Sequence, residues 1–241
     1  MRILAHRGAS SYAPENTFAS FDLACRMGAA CLETDVRCTR DGVPVLIHDE
    51  RVDRTTDGTG AVAEMDWRQV AALDAGARFS ADFAGQRVPR LDEFLPRYLG
   101  QVSLCLELKC AEAIAPMAAA IRQATDGRID GGGLEAIEFS SFQWDLLMLM
   151  QQALPAAKLG HLVPYSSTNA AAIRRAADAG MAMLCPPVGA VTPQLVADAR
   201  AAGLRIRTWG VKTREDLHHL ITCGVDGTTL NWPDWHVPQL A

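Results

Sequence analysis

The chain has 241 residues, 49% of them hydrophobic and 21% charged, with a formal net charge of −5. That length suits one large α/β domain or two small ones, and such a domain buries about 70–75% of the surface its unfolded chain exposes. The acidic balance and the lack of a basic run argue against nucleic acid or an anionic membrane surface as partner, because binders of either carry a basic footprint. No apolar stretch approaches the length needed to insert stably across a bilayer. The N-terminus enters a strand pattern at once, without a secretory leader. Seven cysteines, an odd number without disulfide-framework spacing, point to reduced thiols and a cytoplasmic location.

Residues 2–6 are predicted as the first strand, ending in His6-Arg7-Gly8. Pro14-Glu15-Asn16-Thr17 then starts a helix in which Phe18, Phe21 and Cys25 recur at i, i+3, i+7, and Gly28 stops it. The stretch Leu32-Glu33-Thr34-Asp35-Val36-Arg37 alternates with period two, so Glu33 and Asp35 share one face of a strand. Two carboxylates aimed into a core are tolerated only when paired or when they coordinate a metal. Arg40-Asp41-Gly42 is a turn, and 43–48 runs on as an extended segment ending at His48. A hairpin centred on Asp41 sets His48 roughly opposite Glu33, about 5 Å away.

From Asp49 to Gly100 the periodicity changes. Residues 53–60 are turn-rich, 65–73 and 91–99 read as helices, and 76–85 is irregular. This is too long for a connection and is expected to be an insertion at about 49–100 over one end of the scaffold. Strands at 103–109, 136–141, 158–163, 182–185, 205–211 and 226–230 then alternate with helices at about 112–125, 143–153, 168–179, 192–202 and 213–222. Gly180, Gly203 and Gly224 stand where helix C-caps belong, and Gly131-Gly132-Gly133 reads as a flexible connection. Counting 2–6 and 31–37, and taking 43–48 as an excursion, the strands number about eight. That matches an α/β chain folded as one (β/α)8 TIM barrel, with its active site at the strands' C-terminal ends. A doubly wound open sheet needs a Gly-rich first turn, and His6-Arg7-Gly8-Ala9-Ser10 is a poor one.

The strand 103–109 places Glu107 and Lys109 on one face. With Glu33 and Asp35, Glu107 makes three carboxylates without an adjacent Cys/His cluster, a set that favours a hard divalent cation, Mg²⁺ or Ca²⁺. Cys31 and Cys105 lie two residues before Glu33 and Glu107. They read as small apolar packing one layer below, in preference to a zinc pair with Cys110. Arg7 and Lys109 suit phosphoryl oxygens. His6 and His48 offer the base and the acid that phosphodiester cleavage requires. His161 ends a strand and is a further pocket candidate; His218 and His219 read as solvated helix positions, and His236 as tail.

These residues, with Pro14-Glu15-Asn16-Thr17, Asp41-Gly42, His48-Asp49, 54–60, 73–76, Trp209-Gly210-Val211 and 224–227, resemble in order the motifs of the glycerophosphodiester phosphodiesterases. The resemblance implies a barrel with a small insertion after the second strand. It also implies hydrolysis of glycerophosphodiesters such as glycerophosphocholine and glycerophosphoethanolamine to sn-glycerol 3-phosphate and an alcohol. Carried over residue by residue, it makes Glu33, Asp35 and Glu107 the metal ligands and His6 and His48 the acid–base pair. Arg7 and Lys109 become phosphate ligands, and Trp209 flanks the glycerol or head group. A glycerol hydroxyl serving as first nucleophile gives a cyclic phosphate that water then opens.

Thr229-Leu230-Asn231-Trp232-Pro233 departs from the family's T-D-x-P pattern, leaving a hydrogen-bonding amide without charge near the last strand, and the helix after that strand is expected to be reduced. Two rival readings remain at this level. One is a lysophospholipid or sugar phosphodiesterase with an apolar entry from Met65, Trp67, Phe79 and Phe83. The other is a noncatalytic barrel binding a phosphorylated ligand.

Overall fold

Apart from one short antiparallel strand, the strands of this chain pair in parallel in sequence order until the last returns to the first. The structure, a computed structural model, describes residues 1–126 and 134–235. In chain order the elements begin with β1 (Arg2–His6), α1 (Phe18–Arg26), β2 (Cys31–Cys38), β3 (Pro44–Leu46), α2 (Trp67–Val70) and α3 (Leu91–Tyr98). There follow β4 (Ser103–Leu108), α4 (Ile114–Ala124), β5 (Ile137–Ser141), α5 (Trp144–Ala153), β6 (Lys158–Leu162) and α6 (Ala170–Asp178). The chain continues through β7 (Met183–Cys185), α7 (Pro193–Ala201), β8 (Arg205–Thr208), α8 (Arg214–Cys223) and β9 (Gly227–Leu230).

Leu4 of β1 is paired with Cys31 on one side and Thr229 on the other, which closes the parallel sheet into a (β/α)8 barrel. Both faces of such a sheet are covered, and β2, β4 and β5 are accordingly buried along nearly their whole lengths. The expected Gly131-Gly132-Gly133 connection, His236 and the reduced last helix lie outside the described residues.

β3 is the departure from the regular pattern. β1 pairs with β2 only as far as His6↔Glu33, and beyond that point β3 takes the same edge of β2 antiparallel, from Val36↔Leu46 to Cys38↔Pro44. The expected placement of His48 opposite Glu33 is therefore corrected. That edge of Glu33 is already filled by β1, so the hairpin ladder stops at Leu46. The Ile47 N–H still donates to the Asp35 carbonyl at 3.1 Å, and the chain then bends at His48.

The insertion also has different bounds from those expected. Val45, Ile47, Val52, Val62, Val70, Ala75 and Val88 form a small core of their own. Leu91, Phe94, Leu95 and Tyr98 belong instead to the main core, and Phe94 meets Phe21 of α1 edge-on with ring centroids 4.8 Å apart. α3 is thus the ring helix that follows β2, and the excursion runs through β3 to about residue 90. Both segments carry apolar periodicity, and the sequence does not show which core each one feeds. Phe94→Ala should cost about 3–5 kcal/mol of stability, read from denaturant unfolding, because its ring is fully buried in the layer joining α1 and α3.

Candidate active site

The C-terminal ends of the strands surround a cavity of about 310 Å³ whose walls include His6, Arg7, Glu33, His48, Glu107, Lys109 and Trp209. Every expected site residue but Asp35 lines it, and Asp35 lies directly behind, fully buried and bridged to Arg7 and Lys109. One carboxylate oxygen from each of Glu33, Asp35 and Glu107 falls within 4.8 Å of the others. The three residues are 2%, 0% and 8% exposed. An all-oxygen set this compact fits a hard divalent ion and is a poor match for zinc or copper. Beneath it Leu4, Cys31 and Cys105 pack together, as the apolar layer expected there.

Crowding three carboxylates out of water shifts their titration. Burial, followed by the charge of Asp35, pushes Glu33 up to about 7, and the same two causes raise Glu107. Burial also opposes ionisation of Asp35, but Lys109 and Arg7 outweigh it and hold that carboxyl well below its usual range. Lys109 Nζ sits 3.1 Å from Asp35 Oδ1 and also pairs with Glu107, while Arg7 Nε lies 3.1 Å from Asp35 Oδ2.

Local backbone conformation aims Arg7 inward. Arg7 and Gly8 follow β1 with φ of 58° and 83°, two successive left-handed residues that fold the chain back so the Arg7 N–H reaches Glu33 Oε2 at 3.0 Å. A Cβ on Gly8 would stand 2.4 Å from Ser20 Oγ and 2.6 Å from the Ser20 carbonyl carbon. Gly8→Ala is expected to destabilise the fold by more than 1 kcal/mol, detectable as a lowered Tm, since both the φ and the contact forbid it.

His6 Nδ1 donates to Asn231 Oδ1 at 2.6 Å, so both ring orientation and tautomer are fixed by the residue that departs from the family pattern. The departure therefore bears on the imidazole itself as well as on the mouth near β9. Burial, then Arg7, lowers the pKa of His6. His48 Nδ1 donates to Asp49 Oδ1 at 2.6 Å, and with Nδ1 engaged each ring leaves Nε2 for the cavity.

Several supporting residues were not singled out for a role from the sequence. Asn16 Nδ2 donates to Asp35 Oδ2 at 2.9 Å, and the Thr34 hydroxyl donates to Asn16 Oδ1 at 2.7 Å, which locks the amide. Arg54 grips Glu15 with two donors at 2.7 and 2.8 Å and Asp49 with Nε at 2.6 Å. Glu15 in turn accepts from Arg7 at 2.9 Å. A charged chain thus runs Arg7–Glu15–Arg54–Asp49–His48 from the end of β1 to the insertion. The Pro14–Thr17 stretch shows in sequence as a helix start, and Arg54 as part of a turn; only the positive φ of Asn16 (55°) and the tertiary contacts reveal the rest. Arg54→Ala should lower kcat about 10-fold by freeing Asp49 and His48, and Arg54→Lys should restore little of it, because a lysine cannot hold two carboxylates with a planar fork.

Trp209 donates Nε1–H to the Cys185 carbonyl at 3.1 Å and packs edge-on to Phe142 at 5.3 Å. With Leu162 and Val211 these rings make the apolar wall of the cavity. The residues expected to supply an apolar entry do not line it. Met65 and Trp67 pack on the insertion's own core, and Phe79 and Phe83 face each other at 5.5 Å. His161 is likewise corrected: Leu162 lines the cavity and Gly160 faces Met183 and Cys185, so period two turns His161 outward, onto Trp144 at 5.1 Å. His218 and His219 are exposed on α8, as expected.

Fold and site together define a (β/α)8 barrel with carboxylates, imidazoles and cations gathered around one cavity at its C-terminal mouth. The sequence matches the Glycerophosphoryl diester phosphodiesterase family over residues 6–235, and the chain belongs to that family. A glycerophosphodiester phosphodiesterase of Caldanaerobacter subterraneus subsp. tengcongensis is 32% identical over 234 residues, 96% of this chain and 94% of that one. A Bacillus subtilis relative is 50% identical over 109 residues, a match spanning 45% of either chain. An Oleispira antarctica phosphodiesterase, solved in complex with the product sn-glycerol-3-phosphate, superposes with a TM-score of 0.86 at 29% identity, over 97% of this chain and 94% of that one.

Proposed function

We propose that the protein hydrolyses glycerophosphodiesters, such as glycerophosphocholine and glycerophosphoethanolamine, to sn-glycerol 3-phosphate and an alcohol. The observation that carries this reading is the meeting of the acidic triad and two imidazoles around one cavity. Glu33, Asp35 and Glu107 would hold Mg²⁺ or Ca²⁺. Such an ion supplies Lewis acidity at a phosphoryl oxygen. Arg7 and Lys109 face the remaining phosphoryl oxygens as charged donors. One imidazole Nε2 takes the proton of the attacking hydroxyl, from the glycerol itself or from water, and the other gives a proton to the departing alkoxide. Trp209 borders the glycerol or head group. The product bound to the Oleispira antarctica neighbour supports a small glycerol phosphate as the recognised half. Seven free cysteines fit a reducing compartment, the cytoplasm, and no described helix is long and apolar enough to cross a membrane.

One observation favours a second substrate. Phe142 is 45% exposed beside Trp209 and extends the apolar wall outward, where an acyl chain would lie. Comparing kcat/KM for glycerophosphocholine and lysophosphatidylcholine separates the two. The first is expected to be turned over at least 10-fold more efficiently; the reverse order would replace the proposed substrate class.

A further inference from the structure

Arg207 projects from β8, the strand diametrically opposite β4, into the floor of the same cavity. It is 3% exposed, and among the described residues its Nε and Nη2 find no hydrogen-bond acceptor. The acids that face it, Glu33 above and Glu138 below, act on its charge only through space. Glu138 is already held by Arg2 and Arg205 at the bottom of the barrel. Of the nearby thiols, Cys185 offers its sulfur to Arg207 as a weak hydrogen-bond partner, but neither thiol compensates the charge, since burial pushes Cys105 up to about 12 and raises Cys185 as well. Of the other cations lining the cavity, Lys212 is exposed, and Arg7 and Lys109 are engaged. Arg7 is paired with Glu15 and Asp35, and Lys109 with Asp35 and Glu107.

A buried guanidinium with two of its nitrogens lacking acceptors is costly, more so than a neutral donor. A hydrophobic residue of similar volume would fill the barrel axis without that penalty. A cation lining the bottom of a cavity of about 310 Å³ is instead suited to the anionic part of a ligand.

We propose that Arg207 is a substrate-binding residue that takes an oxygen of the phosphoryl group from the cavity floor, beside Arg7 and Lys109. This rests on the phosphodiesterase reading and deepens it. A cation there adds one positive charge beneath the reaction centre. It favours doubly negative species, the phosphomonoester product and the pentacoordinate phosphorus, over the singly charged diester. The expected consequence is inhibition by phosphomonoesters and by inorganic phosphate.

Calorimetric titration of inorganic phosphate into the Mg²⁺-supplemented protein tests this without turnover. Arg207→Met is expected to weaken phosphate binding at least 10-fold while Mg²⁺ affinity, titrated separately, stays equal or tightens, because a positive charge near Glu33 has been removed. Phosphate affinity equal to that of the wild type in a folded Arg207→Met protein would overturn the proposal. Should that variant not fold, Arg207→Lys keeps the charge and loses the fork. It is expected to bind phosphate at least 3-fold more weakly, and an unchanged affinity would again overturn the proposal. Diesterase activity of the wild type, measured in parallel, decides the underlying reading separately: absence of turnover contradicts that reading, whereas Arg207-dependent phosphate binding still supports the floor site.

Discussion

Glu33→Gln is expected to remove nearly all activity and, at the same time, to make the metal-free protein more stable. Loss of one charged ligand weakens the hold on a divalent ion that is asked to supply about 4 kcal/mol of transition-state stabilisation, so kcat/KM should fall about 10³-fold. The stability gain has an independent cause. In the metal-free protein the Glu33 carboxyl titrates at about 7, above its usual 4.5, because it is buried beside Asp35. A raised carboxyl pKa means the folded state holds the proton more tightly than the unfolded state. Its stabilising contribution is complete below about pH 4.5 and is lost as pH rises through about 7, a span of about 3 kcal/mol. Glutamine never ionises. Metal-free Glu33→Gln should therefore match the wild type near pH 4 and exceed it in unfolding free energy at pH 8. Equal stability at both pH values would mean that the cluster carries no such repulsion.

The second large effect belongs to the imidazoles. His6→Ala and His48→Ala should each lower kcat by about 10²–10⁴-fold with glycerophosphocholine. Their environments separate the pair: His6 is buried and donates to the neutral amide of Asn231, whereas His48 is bound to the carboxylate of Asp49. A diester with a p-nitrophenol leaving group needs no general acid. The variant that has lost the acid should regain most of its rate on that substrate, and the variant that has lost the base should not. The double variant should be little worse than the poorer single one, because the two groups serve one transition state. Rescue of both single variants, or of neither, would contradict a divided acid–base role.

What could be read from the sequence follows the reach of each physical signal. Alternating strand and helix periodicity with glycine stops reports the barrel, because each unit is local and repeats. Period two also puts Glu33 with Asp35, and Glu107 with Lys109, on shared inward faces. The position of His48 was not legible, since it depends on β1 occupying the edge of β2 at Glu33. The outward turn of His161 is legible in principle, since period two faces it away from Gly160 and Leu162 on either side. Asn231 stood out as a departure, but its contact with His6 exists only once β9 closes against β1. Asn16 and Arg54 are legible least. Asn16 acts through Asp35, 19 positions away, Arg54 ties nearby Asp49 to Glu15, 39 positions from itself, and a left-handed Asn16 leaves no compositional mark. The boundary at residue 90 was hidden for a similar reason: an amphipathic helix looks the same whichever core receives it.

The central claim is that three carboxylates hold a divalent ion on which phosphodiester hydrolysis depends. It is tested most directly by following glycerophosphocholine hydrolysis in protein stripped of metal by a chelator and then titrated with Mg²⁺ or Ca²⁺. Activity is expected to disappear on stripping and to return with either ion or both. Undiminished hydrolysis by the stripped protein would contradict it.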